Sequence, residues 1–368
     1  MQRGWKIGSL AGAPIRLSPS FALLALVLGV VFAPNAQELS YFGPQAWLLP
    51  VGYIAIFFVS VIVHEMAHAT VGLLTGQRPS EIVVNVWGGH TQFGRAEESA
   101  GRSALIAGVG PITNLALAAL AWGAGQAVGS PLSITGQLLT GAVVVNVLLG
   151  VFNLIPGLPL DGGHVLESAV WAATGRRANG TVAAGWVGRA IAAGLVLWAV
   201  IDYLVGARSV TFLLWTILIA FTLWQAASQA LRFARVRRRA DSLDLRQLVQ
   251  PAVAVPADAN LVQVVGALGA HAVHDPRFVV LVGPQGPVGV LDPQLLAQVP
   301  VEQHPFVTAR QVARVYNPQD ALEVNTTGDA LLRGLSELTS ESVVVTSGSS
   351  VIGVIPGRAL IAALTQES

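Results

Sequence analysis

From Trp47 to Leu74 the only formal charge is Glu65. A helix needs about 20 apolar residues to cross the hydrocarbon core, so this run is long enough to span. A charged side chain near the middle of such a helix costs roughly 2.5–3.5 kcal/mol on insertion scales. Glu65 therefore needs a reason, and its neighbours supply one. It sits in the run His64-Glu65-Met66-Ala67-His68. On a helix, residues four apart share a face and lie about 5–6 Å from each other. Two imidazole nitrogens so placed can reach one Zn²⁺ at about 2.0–2.1 Å. Glu65 then occupies the position where HExxH enzymes keep the carboxylate that takes a proton from metal-activated water. Two satisfied core histidines would leave the glutamate unexplained.

The rest of the chain fits a membrane setting. Charged residues make up 11% and hydrophobic ones 53%, against about 25% charged in soluble domains. Cysteine is absent, which rules out disulfides, thiolate metal sites and Cys nucleophiles, and leaves His, Asp and Glu as ligands. The net charge of +1 gives no field for nucleic acid. The first apolar run ends in Ala33-Pro34-Asn35 without a signal-peptide cleavage pattern.

Hydropathy predicts about six spans, near residues 21–33, 46–74, 103–127, 134–154, 182–204 and 210–234. Ahead of them, Trp5–Ser9 and Ala13–Leu17 flank the turn-forming Ala11-Gly12 as a hairpin. Residues 81–94 are rich in β-branched residues, too short and polar to span, and read as a hairpin or re-entrant segment. Arg78, Arg95, Arg102, Arg176 and Arg177 fall in two loops of one side, and Arg232, Arg235 and Arg237–Arg239 follow the last span. The positive-inside rule then puts both termini in the cytoplasm of a multi-pass cell-membrane protein. The Arg237–Arg239 run is a stop-transfer anchor rather than a nucleic-acid patch. Residues 1–239 form the membrane domain and 240–368 a water-soluble α/β domain. That tail contains two similar strand–helix–hairpin–helix halves, which suggests one pseudo-symmetric cytosolic module.

The fourth span ends in Asn153-Leu154-Ile155-Pro156-Gly157-Leu158-Pro159-Leu160-Asp161-Gly162-Gly163-His164. Prolines and glycines break the helix there. The second and fourth spans run in the same direction, so Asp161 approaches the depth of His64 and His68. Two His and one carboxylate leave a fourth tetrahedral position for water, the pattern of a catalytic zinc site. Asn153 is a candidate donor to a tetrahedral oxyanion, with satisfaction of broken backbone as its other reading. His164 is an alternative ligand and His90 a candidate cavity residue. His271, His274 and His304 read as surface or local hydrogen-bonding residues.

With both motifs in view, the chain resembles the site-2 protease family of intramembrane zinc metalloproteases. His64-Glu65-Met66-Ala67-His68 and the Asn153–Gly163 segment carry the resemblance, and Gly110-Pro111 with Asn114 looks like a further landmark. The resemblance implies that His64, His68 and Asp161 hold one zinc ion and that Glu65 is catalytic. It also implies a single-span membrane protein as substrate, such as an anti-sigma factor already trimmed by another protease. The tail looks like a pair of CBS domains. Such pairs often bind adenosine nucleotides, but Gly289–Leu295 and Gly353–Ala359 both lack the hydroxyl followed by the ribose-binding Asp. Docking, dimerisation or gating is at least as strong an expectation for it. A CBS-regulated transporter or channel is the competing reading; it predicts repeated spans and a polar pathway, and the sequence offers neither.

Overall fold

A computed structural model describes residues 4–85, 88–93, 99–128, 130–270, 278–284, 286–317, 321–337, 342–348 and 350–365. It divides into two compact units, Met1–Ala234 and Arg235–Ser368.

The first unit begins with the predicted hairpin, β1 (Trp5–Leu10) and β2 (Ala13–Leu17). Its two turn residues, Ala11 and Gly12, both have positive φ, 49° and 89°, the backbone that tight hairpins require. The hairpin does not stand alone. β2 pairs in parallel with β3 (Pro79–Asn85), and β3 pairs antiparallel with β4 (Gly88–Phe93). The result is one four-stranded sheet in the order β1-β2-β3-β4, with β4 at an edge. A parallel pair needs a long crossover; here it is the whole stretch between β2 and β3.

That crossover corrects one expectation. The first apolar run forms α1 (Ser20–Val31), 12 residues, or about 18 Å of helix, short of the roughly 30 Å core. The reason is visible in its contacts. Phe21, at its start, packs with Val61 and Val84, and Phe32, just past its end, meets Tyr53. The sheet, through Val84, packs on the same Val61 that Phe21 meets, so helix and sheet share one apolar cluster. Five helices among the described residues are long and apolar enough to cross a membrane. They include α3 (Leu48–Leu74), which follows a short α2 (Ala36–Phe42), then α4 (Ala100–Val128) and α5 (Ile134–Asn153). After α6 (Asp161–Thr174) come α7 (Arg177–Leu204) and α8 (Val210–Ser242).

Small residues let these helices approach, as expected where the solvent is as apolar as the side chains. Gly52 of α3 meets Leu138 of α5, and Gly141 of α5 meets Tyr53. α6 lies in what the sequence offered as a loop. Its double glycine explains the fold: methyl groups at 162 and 163 would overlap the carbonyls of Leu154 and Gly157. Only glycine lets the helix start press onto the chain that leads into it. Gly175, at φ 69°, closes the helix.

In the second unit a seven-stranded sheet runs β8-β7-β6-β5-β11-β10-β9. The first half holds β5 (Gln250–Pro256), α9 (Leu261–Ala270), the hairpin β6 (Phe278–Gly283) and β7 (Gly286–Leu291), α10 (Pro293–Ala297) and β8 (Ala313–Val315). The second holds β9 (Leu322–Glu323), α11 (Gly328–Glu337), the hairpin β10 (Ser342–Ser347) and β11 (Ser350–Pro356), and α12 (Gly357–Thr365). β5 and β11 join the halves antiparallel. Strand periodicity sorts the core by face: Val343 and Val345 pack with Leu331 and Leu360, while Val344 turns to Val280, Val354 and Tyr316.

Candidate active site

α3 delivers His64, Glu65 and His68, each under 10% exposed, and α6 delivers Asp161 as its first residue. The His64 and His68 rings stand with centroids 4.7 Å apart and nearly perpendicular. Their Nε2 atoms are 3.0 Å apart. Asp161 Oδ2 lies 3.0 Å from His64 Nε2 and 3.4 Å from His68 Nε2. Four donors placed tetrahedrally about 2.0–2.1 Å from one ion would be about 3.3 Å from each other. The three atoms therefore have the separation of ligands that share a metal.

The hydrogen bonds behind them decide whether those atoms carry protons. His68 Nδ1 is 2.6 Å from the Ile106 carbonyl of α4. A carbonyl only accepts, so the proton of a neutral His68 sits on Nδ1 and the Nε2 lone pair is free. His64 reaches the same state through a longer route. The Ala142 carbonyl accepts from Asn146 Nδ2, which fixes that amide. Asn146 Oδ1 then accepts from Asn114 Nδ2 at 2.9 Å, so Asn114 presents Oδ1 to His64 Nδ1 at 2.5 Å. Asn114 and Asn146 are 0% and 3% exposed, so no water competes for these bonds. Asn146 Nδ2 also donates to Ser60 Oγ of α3. With both protons turned away, two lone pairs and a carboxylate oxygen face one point. Asp161 Oδ2 is buried with no donor to satisfy it. Three converging acceptors are stable only around a cation, and two neutral imidazoles with one carboxylate match a catalytic zinc donor set.

Glycine makes room for this arrangement. A methyl group at Gly110 would overlap His68 Nε2 and crowd His64, and one at Gly89 would stand within 2.5–2.8 Å of the Glu65 side chain. Thr91 of β4 donates to Glu65 Oε2 at 2.8 Å, which orients the carboxylate from the sheet side.

The structure thus brings together His64, His68 and Asp161, with Glu65 beside them on α3. It does not bring His164 to them: His164 Nδ1 bonds Glu167 Oε2 at 3.1 Å. Glu167 also receives Arg177 Nε at 3.0 Å and Thr181 Oγ1 at 2.9 Å, a clasp between α6 and α7. Burial alone would raise the Glu167 pKa; the His164 bond and the Arg177 charge outweigh it and hold the carboxyl at about 2. Asn153 closes α5, half-buried, and its side chain has no hydrogen-bond partner among the described residues. His90 lends its backbone to β4; its side chain, like His271 and His274, lies outside what is described. His304 makes a local bond to the Val299 carbonyl.

Sequence reasoning missed Thr91, Asn146 and Ser60, and gave Asn114 no role. For Asn114, Asn146 and Ser60 the available signal was the same as for Glu65: polar side chains inside apolar spans need partners.

Comparison with known proteins agrees with the geometry. The profile of peptidase family M50 matches residues 126–197. The Synechocystis sp. protein sll0528, named for an inferred zinc metalloprotease activity, is 30% identical across 99% of this chain and 96% of its own. The chain belongs to peptidase family M50, the site-2 proteases. This M50 chain is a multi-pass membrane zinc metalloendopeptidase. Two solved structures are also similar. The site-2 protease from Methanocaldococcus jannaschii covers 62% of this chain and 95% of its own at 22% identity, with a TM-score of 0.46. The CBS domain of a bacterial CNNM/CorC family Mg²⁺ transporter covers 41% of this chain and 95% of its own at 16% identity, with a TM-score of 0.26.

In the second unit, Asp292 caps α10 through the Gln294 amide and receives Arg314 Nε at 2.9 Å. The Arg314 bond, then the Gln294 amide, hold its pKa below the usual carboxylate range.

Proposed function

We propose that this protease cuts a membrane-tethered protein within or beside its single transmembrane helix, and that a membrane-bound regulator of the anti-sigma-factor kind is its substrate. The observation that carries the reading is the placement of Thr91. It belongs to an edge strand, and its hydroxyl holds the Glu65 carboxylate. A helical substrate has its carbonyls tied in backbone bonds, so it must unwind before cleavage. An open strand edge offers an extended peptide new backbone partners, and here that edge lies against the catalytic base.

A zinc ion held by His64, His68 and Asp161 would supply Lewis-acid polarisation and an activated water. Glu65 would take the proton of the attacking water and return it to the leaving amine. Thr91 keeps one carboxylate oxygen occupied and so restricts how the carboxylate can turn. Asn153, whose amide has no partner among the described residues, serves as the donor to the developing oxyanion.

The four-stranded sheet ties β1 and β2 to β3 and β4, so the amino terminus shares a face with the Arg78 and Arg102 loop. This supports a cytoplasmic position for the amino terminus under the positive-inside rule, and the Arg235 and Arg237–Arg239 run supports the same side for the carboxy terminus. We read the repeated tail as a CBS pair that docks, dimerises or gates rather than one that binds nucleotide, since Asp292 is already engaged by Arg314 and its own helix cap. The convergence of buried polar groups on one cluster favours hydrolysis over the transporter reading. The test is reconstitution of the full chain in liposomes with a labelled single-span substrate. Cleavage that E65Q abolishes supports the proposal; cleavage of soluble peptides only, with single-span proteins left intact, overturns it.

A further inference from the structure

Arg189 lies within α7, in a segment otherwise apolar from Val187 to Ile201. Its Nε and Nη2 both donate to Ser228 Oγ of α8, at 3.1 and 2.9 Å. Ser228 is buried and spends its own proton on the Trp224 carbonyl at 2.6 Å. The hydroxyl is therefore saturated and fixed. The guanidinium lies over two indoles, 5.0 Å from the Trp186 ring centroid and 4.9 Å from that of Trp224. No carboxylate pairs with it among the described residues. A guanidinium has five N–H donors, and the Ser228 oxygen takes two of them. The remaining three are left with a positive charge, held in place, with no protein acceptor among the described residues.

The depth of the group narrows the choice of acceptor. Ser228 is one helical turn, about 6 Å, from Arg232, where the basic end of α8 begins. Trp186 and Trp224 are both exposed on the outside of the helices. Tryptophan favours the headgroup level of a bilayer, and arginine beside it meets the phosphates there. Guanidinium and phosphate match as forked donor and acceptor.

We propose that Arg189, clamped by Trp186, Trp224 and Ser228, is a binding site for the phosphate of a membrane phospholipid, with preference for an anionic headgroup. The site stands apart from the zinc cluster and does not depend on the substrate proposed above.

The test is native mass spectrometry of the full-length protein released from detergent, titrated separately with dioleoyl phosphatidylglycerol, dioleoyl phosphatidylcholine and inorganic phosphate. Wild type is expected to hold phosphatidylglycerol more tightly than phosphatidylcholine. R189Q should lose roughly tenfold in phosphatidylglycerol affinity, the scale of one charge-assisted contact. R189K should retain part of the affinity, because it keeps the charge and loses the fork. W186L, a substitution on the exposed face, should weaken binding without altering the melting temperature. Equal lipid retention by wild type, R189Q and W186L would overturn the proposal. Displacement of the lipid by millimolar inorganic phosphate would also overturn it, because it would mark a site for free anions.

Discussion

Asn114 Oδ1 and His64 Nδ1 stand 2.5 Å apart at the buried junction of α3 and α4. The Ala142 carbonyl, acting through Asn146, fixes which end of the Asn114 amide faces the imidazole. A backbone group on α5 thus selects the tautomer of a histidine on α3.

N114A should therefore weaken zinc binding by about 10- to 100-fold, the usual cost of removing a ligand's outer partner. Competition with a fluorescent zinc chelator measures it. N114L, which fills the space without the acceptor, should be no better. If both variants bind zinc like wild type, the relay does not set the tautomer.

N146A removes the middle of the relay and leaves Asn114 Nδ2 and Ser60 without their partner. Each stranded buried group costs about 1–3 kcal/mol. The melting temperature in detergent should fall along with zinc affinity, and a simultaneous S60A exchange should add little, because the two side chains share one network.

E65Q should keep its zinc and lose about 10²–10⁴-fold in kcat, the typical share of a general base. T91V keeps the volume but frees the carboxylate, and should lower kcat by about 10- to 100-fold with KM little changed. Peptidase assays beside metal analysis separate both effects from loss of the ion.

G110A places a methyl group against both imidazoles. It should cost about 1–3 kcal/mol in overpacking and abolish stoichiometric zinc uptake. D161N should also lose the ion, yet without the packing penalty. Thermal melts with and without a chelator distinguish them: only wild type should be stabilised by added zinc.

The Glu167 clasp gives a pH dependence whose sign follows from its depressed folded pKa of about 2. The carboxylate, bonded to His164, Arg177 and Thr181, contributes stability above the unfolded value of roughly 4.3. That stability, on the order of 3 kcal/mol, is lost as pH falls from there through the folded value. E167Q should melt lower at pH 7 and show a flatter profile between about pH 5 and pH 2.

Much of this was legible in the chain itself. The spacing of His64 and His68 and the apolar run around them placed two ligands on one face of a spanning helix, because helical geometry is local. The Pro/Gly-broken segment before Asp161 marked the other half of the site. The hairpin around Ala11-Gly12 and the repeated tail were equally readable, since turn chemistry and strand alternation depend on near neighbours.

What the sequence could not supply were relations across long separations. It gave α1 as a span, but the chain forms only a 12-residue helix there, packed beside a sheet whose four strands come from two separate segments. It offered the residues after Asp161 as loop, yet two glycines pressed onto the preceding carbonyls allow a helix there. Asn146 and Thr91 carry no motif at all. The order of residues determined which groups can bind a metal, because that follows from side-chain chemistry and a turn of helix. The tertiary structure decided which protons those groups keep, because a hydrogen bond's direction is set by whichever backbone carbonyl the packing brings to its far end.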